Sequence, residues 1–189
     1  TGVYADGSAY PTTPANNALT TANLISEWKN GYGLVAWWGH GNYAGVYRRV
    51  WTNDNTRADR ITQYPQETNS PSFFGSGDTF QLNNARPAFV VQVSCLNGQP
   101  EYLDNLGYRL LVNGAVGTVS ASRLSYYIMG AWAPQEGAGW ADNATVAYNV
   151  LQRMSASGDS MGAALAYHRA YSNTWDMGAL WMNLLDFNL

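Results

Sequence analysis

The sequence predicts an α/β fold in which a mostly parallel sheet carries helices on both faces. Two apolar runs of strand length, 34–38 and 88–93, are continuous rather than alternating, which is typical of strands buried on both faces in a parallel sheet. A third run, 115–121, consists of small and β-branched residues and follows a segment of helical spacing. This alternation of strands and helices along the chain is the pattern of an α/β fold.

The individual elements follow from turn residues and apolar spacing. Residues 1–17 are rich in Gly, Pro, Ser, Thr and Asn and predict a loop or arm, whereas Gly31 predicts the end of the first helix. The polar stretch 43–84 predicts loops, with an apolar patch at 73–74 and one short helix near 55–64. The other predicted elements are a helix over 19–30, strands over 34–38 and 88–93, a helix over 103–112, a strand over 115–121, helices over 145–154 and 161–171, and a last strand over 179–189.

The composition excludes several classes of protein. The chain has 189 residues and is 46% hydrophobic, which is enough for the core of one compact domain. Its 13 acidic and 10 basic residues give a net charge of -3 without a basic run, so nucleic-acid binding is not expected. No apolar stretch reaches the roughly 18 residues that span a membrane, and no leader precedes Thr1. With one cysteine, the chain forms no internal disulfide.

Two residues with reactive side chains follow two of the predicted strands. His40 lies between Gly39 and Gly41 just after strand 34–38, and Cys95, the only cysteine, comes just after strand 88–93. Ligands of an open parallel sheet bind outside the carboxyl ends of its strands, so we expect both side chains at one edge of the sheet. A thiol and an imidazole are the nucleophile and the acid/base partner of a cysteine hydrolase. The histidine precedes the cysteine by about 55 residues, similar to the roughly 50 of caspase-type peptidases.

Three segments resemble the gingipain-like cysteine peptidases, whose clan also holds caspases, legumain and clostripain. Residues 33–41, GLVAWWGHG, resemble the family's strand that leads to Gly-His-Gly. Residues 91–98, VQVSCLNG, resemble its strand that leads to a Cys-x-Asn-Gly turn, and residues 113–122, NGAVGTVSAS, resemble the following strand, which lines the substrate cleft. The likeness extends over residues 19–140 in the family's order. It implies a caspase-like three-layer sandwich.

The resemblance implies a cysteine endopeptidase that hydrolyses peptide bonds through a thioester acyl-enzyme. Cys95 would attack the scissile carbonyl as a thiolate, and His40 would protonate the leaving amine. The backbone N–H groups of Gly41 and Cys95 match the family's oxyanion donors. A glycine is suited to position 41 because a side chain there would crowd the substrate carbonyl.

The resemblance also assigns the polypeptide-binding residues. Trp132 resembles an aromatic lid over the first specificity pocket, and Glu136 or Asp142 would favour a basic side chain in that pocket. The strand after the nucleophile contributes the remaining contacts, from Ser120, Ala121 and Ser122. Relatives are mostly secreted or cell-surface proteins of bacteria, so the same localisation is expected here.

We expect residues 1–189 to form a single caspase-like catalytic subdomain that is incomplete on its N-terminal side. In relatives, additional β-α units precede the histidine strand, whereas here only one loop and one helix do so. Residues 182–189 resemble a strand that continues in relatives into a Gly-Asp-Pro turn. A preceding segment, or a companion chain from the same precursor, would complete the domain, and a third catalytic carboxylate cannot be assigned.

Several alternatives stay open at this point. The chain could be a non-catalytic caspase-like module kept for binding or scaffolding. His168 is assigned to a helix surface or a helix cap rather than to catalysis, and Ser94 is rejected as a nucleophile because neighbours on a strand point to opposite faces. The segment Asn53-Asp54-Asn55 and Asp59 could offer oxygen ligands to a structural calcium ion, but a solvated turn is favoured. No metal or cofactor is therefore expected in the catalytic site.

Overall fold

The fold is seen in a computed structural model that describes residues 19–48, 50–51, 67–69, 71–127, 142–172 and 178–189. The described helices are α1 (Thr21–Trp28), a 3-10 turn (Ser76–Gln81), α2 (Leu106–Val112), α3 (Asn143–Ala156), α4 (Met161–Tyr171) and α5 (Gly178–Asp186). The described strands are β1 (Leu34–Trp38), β2 (His40–Asn42), β3 (Gly45–Tyr47), β4 (Val50–Trp51), β5 (Glu67–Asn69), β6 (Ser72–Gly75), β7 (Ala88–Val93), β8 (Ala115–Ala121) and β9 (Phe187–Asn188).

The central sheet has the strand order β1-β7-β8-β9. The first three strands are parallel, and β9 pairs antiparallel with β8. In the β1–β7 register Trp38 lies opposite Val93, so the two strands end at the same level. The Gly39 N–H also donates to the Val93 carbonyl over 3.1 Å. The prediction of a mostly parallel sheet is confirmed, and its register places the segments that carry His40 and Cys95 side by side.

Helices cover both faces of this sheet, as predicted. Alternate residues of β7 enter two different cores, because successive side chains of a strand point to opposite faces. Val90 joins the core formed with α1 and α2, whereas Val91 and Val93 join the core formed with α3 and α4. The three layers are therefore α1 and α2, the sheet, and α3 and α4.

Strand β1 differs from its prediction because it lies at the edge of the described sheet. The continuous apolar run 34–38 predicted burial on both faces. Trp37 is buried, but Ala36 is exposed and Trp38 is 53% exposed. Only one side of β1 pairs with a described strand, namely β7, so part of its apolar surface has no described neighbour.

The segment after His40 is more ordered than the predicted loops. Strands β2, β3 and β6 form a small antiparallel sheet, whose partners include Val46 and Phe74. Val46, Phe73 and Phe74 are fully buried, and the Phe74 ring stacks on Trp28 at a centroid distance of 6.0 Å. These strands are only three or four residues long, too short to produce a clear alternating pattern. The predicted helix near 55–64 lies outside the described residues.

The predicted last strand over 179–189 is wrong for most of its length. Residues Gly178–Asp186 form α5, and only Phe187–Asn188 continue as β9. A short apolar run is compatible with a buried helix or a buried strand, and periodicity alone does not separate the two.

Candidate active site

A tight hairpin carries His40 away from the end of β1. The Asn42 side chain closes its turn, since Asn42 Oδ1 accepts from the N–H groups of Ala44 at 2.9 Å and Gly45 at 3.0 Å. Gly39 is required for the close approach of the two strands, because a Cβ at this position would lie 2.7 Å from the Tyr47 carbonyl oxygen. The hairpin thereby holds His40 beside the end of β7.

The turn that carries Cys95 is anchored to the end of β8. The N–H of Leu96 donates to the Arg123 carbonyl and that of Gly98 donates to the Ala121 carbonyl, each at a distance of 3.0 Å. Leu96 adopts φ +63°, a left-handed conformation that is uncommon for a residue with a side chain. Its occurrence immediately after Cys95 shows that the surrounding hydrogen bonds hold the turn in an unfavourable backbone conformation.

Asn97 joins the cysteine turn to the histidine hairpin. It is fully buried, and its Nδ2 donates to the carbonyls of Asn42 at 2.6 Å and Gly45 at 3.0 Å. Its Oδ1 accepts from the Ser94 hydroxyl, whose oxygen also accepts from the Trp37 indole N–H at 3.2 Å. The sequence indicated Asn97 only as a turn residue, and its role between the two turns was missed.

The two turns lie close together at Gly41. A Cβ at this position would lie 2.5 Å from the Cys95 carbonyl oxygen and 2.8 Å from the Ser94 Cβ. A glycine is therefore needed at position 41 for packing, in addition to the substrate-related reason inferred from the sequence.

His40 and Cys95 share one open cleft. Both side chains are partly exposed, and the cleft has a volume of about 340 Å³. The described residues that line it are Trp38, Gly39, His40, Tyr47, Arg48, Cys95, Ser125, Tyr127 and Asn143. The structure thus brings the two reactive residues together at the carboxyl ends of neighbouring parallel strands.

The residues predicted to bind substrate at the end of β8 and just after it lie outside the cleft. Ser120 is buried and accepts from Gln92 Nε2 over 2.6 Å, and Ala121 is completely buried in the core. The Ser122 N–H is bonded to the Asp186 carbonyl at 2.8 Å. None of the three is among the described residues that line the cleft. Ser125, a few residues further along, contacts Cys95 instead.

The other predicted specificity residues have different outcomes. Trp132 and Glu136 lie outside the described residues. Asp142 is buried, and its carboxylate caps α3 by accepting from the Thr145 N–H at 3.0 Å and the Thr145 hydroxyl at 2.7 Å. Asp142 is thus a structural cap of α3 in this fold.

Ser125 contacts the Cys95 sulfur and Asn143 bonds Ser125, and neither residue was predicted from the sequence. The N–H of Ser125 donates to Cys95 Sγ at 3.4 Å, and the Ser125 hydroxyl lies 3.8 Å from the same atom. Asn143 Nδ2 donates to the Ser125 hydroxyl oxygen over 3.1 Å. Asn143 is the first residue of α3, which follows a long connection from β8. The sequence carries no local signal of this contact.

His168 lies in the interior of the protein rather than on a helix surface, which corrects the prediction. It is completely buried, and its Nδ1 lies 3.1 Å from both Asn149 Nδ2 and the Ser172 hydroxyl. Burial lowers the pKa of His168 from 6.5 to about 4, with a smaller lowering by Arg169 and an opposing effect of Asp142. His168 is not among the described residues of the cleft.

The described part of the chain holds no candidate metal site and no membrane-spanning helix. Among these residues, no group of three or more His, Cys, Asp and Glu side chains is placed to hold a metal ion. The candidate calcium ligands Asn53-Asp54-Asn55 and Asp59 lie outside them. No described helix has the length and apolar character needed to cross a membrane.

Comparison with known proteins identifies the family to which this site belongs. The sequence model of peptidase family C25 matches residues 1–189. The chain belongs to this family. The family resemblance inferred from segments 33–41, 91–98 and 113–122 is therefore confirmed.

A solved structure has the same fold. The Arg-specific cysteine proteinase gingipain R (RGPB) matches this C25 chain with a TM-score of 0.57 and 18% sequence identity. The match covers 91% of this chain and 34% of that one, so the chain spans about a third of the length of that proteinase. A search of curated proteins found no match.

Proposed function

We propose that this C25 chain carries the catalytic dyad of a cysteine endopeptidase, with Cys95 as nucleophile and His40 as acid/base. The observation that supports this most directly is the shared cleft at the carboxyl ends of β1 and β7. Membership in a peptidase family supplies the reaction class. The polypeptide substrate follows from that class.

The reaction proceeds in two steps. Cys95 Sγ, as a thiolate, attacks the scissile carbonyl carbon, and the C–N bond breaks as His40 gives its proton to the leaving amine. Water, deprotonated by His40, then attacks the thioester, releases the carboxylic acid and returns the thiol. The amide N–H groups of Gly41 and Cys95 are the proposed donors to the oxyanion in both steps. The chemistry needs a thiol and an imidazole, and we propose no cofactor for it.

Substrate preference and localisation rest on the family likeness. Gingipain R is named as Arg-specific, and an acidic residue near the cleft would provide such a preference here. Glu136 is the candidate, because Asp142 is buried as a helix cap. Trp132 is retained as the proposed lid, and secretion or cell-surface display as the proposed localisation.

The catalytic unit proposed here includes protein beyond the described sheet. β1 pairs with β7 on one side and with no described strand on the other, and its Trp38 is half-exposed. An edge strand of this kind is a template for a further strand. We propose that a preceding segment, or a companion chain of the same precursor, adds that strand and contributes any third catalytic group.

Labelling with peptidyl acyloxymethyl ketones tests the proposal. The intact protein is treated with probes that differ in the side chain next to the reactive group, and adducts are located by mass spectrometry. We expect probe-selective adducts on Cys95, loss of the adduct in Cys95→Ala, and at least a hundredfold slower labelling in His40→Ala. His168→Gln is the matched control, because it replaces the other histidine outside the cleft.

Both outcomes of the labelling are informative. Selective adducts together with hydrolysis of matching peptides would establish the peptidase and its side-chain preference. If Cys95 reacts with a small thiol reagent but with none of the peptidyl probes, the endopeptidase assignment fails. A non-catalytic caspase-like module then becomes the better description.

A further inference from the structure

The side-chain amide of Asn143 has no role in the proposed reaction of Cys95 and His40, although Asn143 lines the same cleft as Cys95. Asn143 is only 4% exposed, and its Nδ2 donates to the Ser125 hydroxyl oxygen over 3.1 Å. Its Oδ1 is buried, and no donor within the described part of the chain contacts it. Because an unpaired buried acceptor is costly, this arrangement indicates that a group outside the described residues supplies the missing donor.

The other half of the amide acts on the nucleophile through Ser125. A hydroxyl group has one hydrogen to donate, and the oxygen of Ser125 already accepts from Asn143. That hydrogen is therefore free to point toward Cys95 Sγ, 3.8 Å away, while the Ser125 N–H donates to the same sulfur over 3.4 Å. The Ser125 carbonyl accepts from the neutral thiol at 3.5 Å. Ser125 thus offers an acceptor to the thiol and two donors to the thiolate, which is the reactive form.

The position of Asn143 is well defined by the surrounding backbone. Its own N–H donates to the Tyr126 carbonyl over 2.9 Å. Asn183 holds the same peptide segment from α5, since its Oδ1 accepts from the Tyr126 N–H at 2.8 Å and its Nδ2 donates to the Tyr126 carbonyl at 2.7 Å. These bonds hold Ser125 and Asn143 in register, so the contact with the sulfur depends on the packing of α3 and α5 against this segment.

We propose that Asn143 is a positioning residue with two functions in this cleft. Its Nδ2 orients the Ser125 hydroxyl toward the Cys95 sulfur, and its Oδ1 accepts a hydrogen bond from an N–H group of a bound peptide. This assignment rests on the proposed function, since it takes Cys95 as the nucleophile and a peptide as the occupant of the cleft.

The coupling to Ser125 is tested by alkylation of Cys95 in the intact protein with iodoacetamide, which requires no peptide recognition. We expect Ser125→Ala and Asn143→Leu each to lower the alkylation rate about tenfold. Because both remove the same hydroxyl contact, the double variant should also be about tenfold slower rather than a hundredfold. Ser125→Thr keeps the hydroxyl and should recover most of the rate. Asn149→Leu, a buried asparagine of the same helix that bonds His168, is the matched control.

The role of Oδ1 is tested by comparing two probes that react with the same sulfur. A peptidyl acyloxymethyl ketone offers backbone N–H donors to the cleft, whereas iodoacetamide is too small to occupy it. We expect Asn143→Leu to slow the peptidyl probe about tenfold more than it slows iodoacetamide. Ser125→Ala should slow both probes equally, because it leaves the peptide acceptor in place.

The outcomes separate the inference from the proposed function. The coupling to Ser125 would be overturned if the double variant were alkylated about a hundredfold more slowly than wild type. It would also be overturned if Asn149→Leu lowered the alkylation rate as much as Asn143→Leu does. An equal effect of Asn143→Leu on both probes would overturn the role of Oδ1. If the wild-type protein reacts with iodoacetamide but with no peptidyl probe, the proposed function and the role of Oδ1 fail together. The iodoacetamide rates would still decide the coupling.

Discussion

Replacing Asn97 by alanine should lower the stability of the fold and loosen the contact between the turns that carry His40 and Cys95. Asn97 makes two hydrogen bonds to the hairpin carbonyls of Asn42 and Gly45 and one to the Ser94 hydroxyl. Each buried partner left unsatisfied costs about 1–3 kcal/mol. The Asn42 carbonyl belongs to a partly exposed residue and can regain water, whereas Gly45 and Ser94 are buried. We therefore expect a loss of about 2–6 kcal/mol in the free energy of unfolding.

The measurement is urea denaturation of the intact protein, followed by Cys95 labelling under folding conditions. With a slope of about 2 kcal/mol per molar urea, the transition midpoint of Asn97→Ala should fall by about 1–3 M. Labelling by a peptidyl probe should fall at least tenfold in the population that stays folded, because His40 and Cys95 lose their common anchor.

Asn105→Ala is the control for general destabilisation. Asn105 also makes three side-chain hydrogen bonds, to the Gln99 and Tyr102 carbonyls and from the Tyr108 N–H, but it caps α2 and does not line the cleft. It should lower the midpoint without lowering the labelling rate of the folded protein. The reasoning would be refuted if the midpoint of Asn97→Ala lay within about 0.3 M of wild type, which is roughly the effect of a surface substitution. It would also be refuted if Asn97→Ala and Asn105→Ala were labelled at equal rates in the folded state.

Three further predictions follow from the structure. The pKa of His168 is about 4 in the folded state, below its unfolded value of 6.5. The stability that comes from burying the neutral imidazole is therefore complete above pH 6.5, and about 3 kcal/mol of the free energy of unfolding is lost as the pH falls toward 4. Urea titrations at different pH values should show this loss, and it should disappear in His168→Gln. Gly41→Ala should lower the rate of peptidyl labelling of Cys95 at least tenfold, because its Cβ would overlap the Cys95 carbonyl oxygen. Gly33→Ala is the control, since its Cβ meets nothing within 4 Å and the variant should label at the wild-type rate. Equal labelling rates of the two variants would contradict the packing argument. Burial raises the pKa of Asp186, so the protonated carboxyl stabilises the fold at low pH and this stability is lost as the pH rises through the raised pKa. The melting temperature of Asp186→Asn should therefore exceed that of wild type at neutral pH and equal it near pH 3. A difference in melting temperature that stays constant with pH would contradict this prediction.

The local sequence predicted the central strands and the position of the candidate site. The apolar runs that became β7 and β8 are continuous because both faces of these strands pack against helices. The positions of His40 and Cys95 then follow from a general property of parallel sheets, since neighbouring strands present their carboxyl ends at one edge. Neither inference needs knowledge of distant contacts.

Other features depend on contacts that a local pattern does not contain. Phe73 and Phe74 are fully buried, and β6, which carries them, pairs with β3 of the histidine hairpin, a segment more than 20 residues earlier in the chain. The run 178–186 forms a helix although its composition suits a strand, and Asn183 of this helix bonds the backbone of Tyr126, far away in the sequence. Burial of His168 likewise results from packing between α3 and α4 rather than from its neighbours in sequence.

The sequence by itself determined the three parallel strands, helices α1 to α4, the two turns that carry His40 and Cys95, and the family of the chain. These properties depend on short runs of residues, in which apolar continuity and glycine placement act locally. Only the tertiary structure decided how the turns meet and what surrounds the thiol. Asn97 reaches the hairpin and Asn143 reaches Ser125 because separate elements pack at defined distances, and the hydrogen bonds of a side-chain amide depend on those distances.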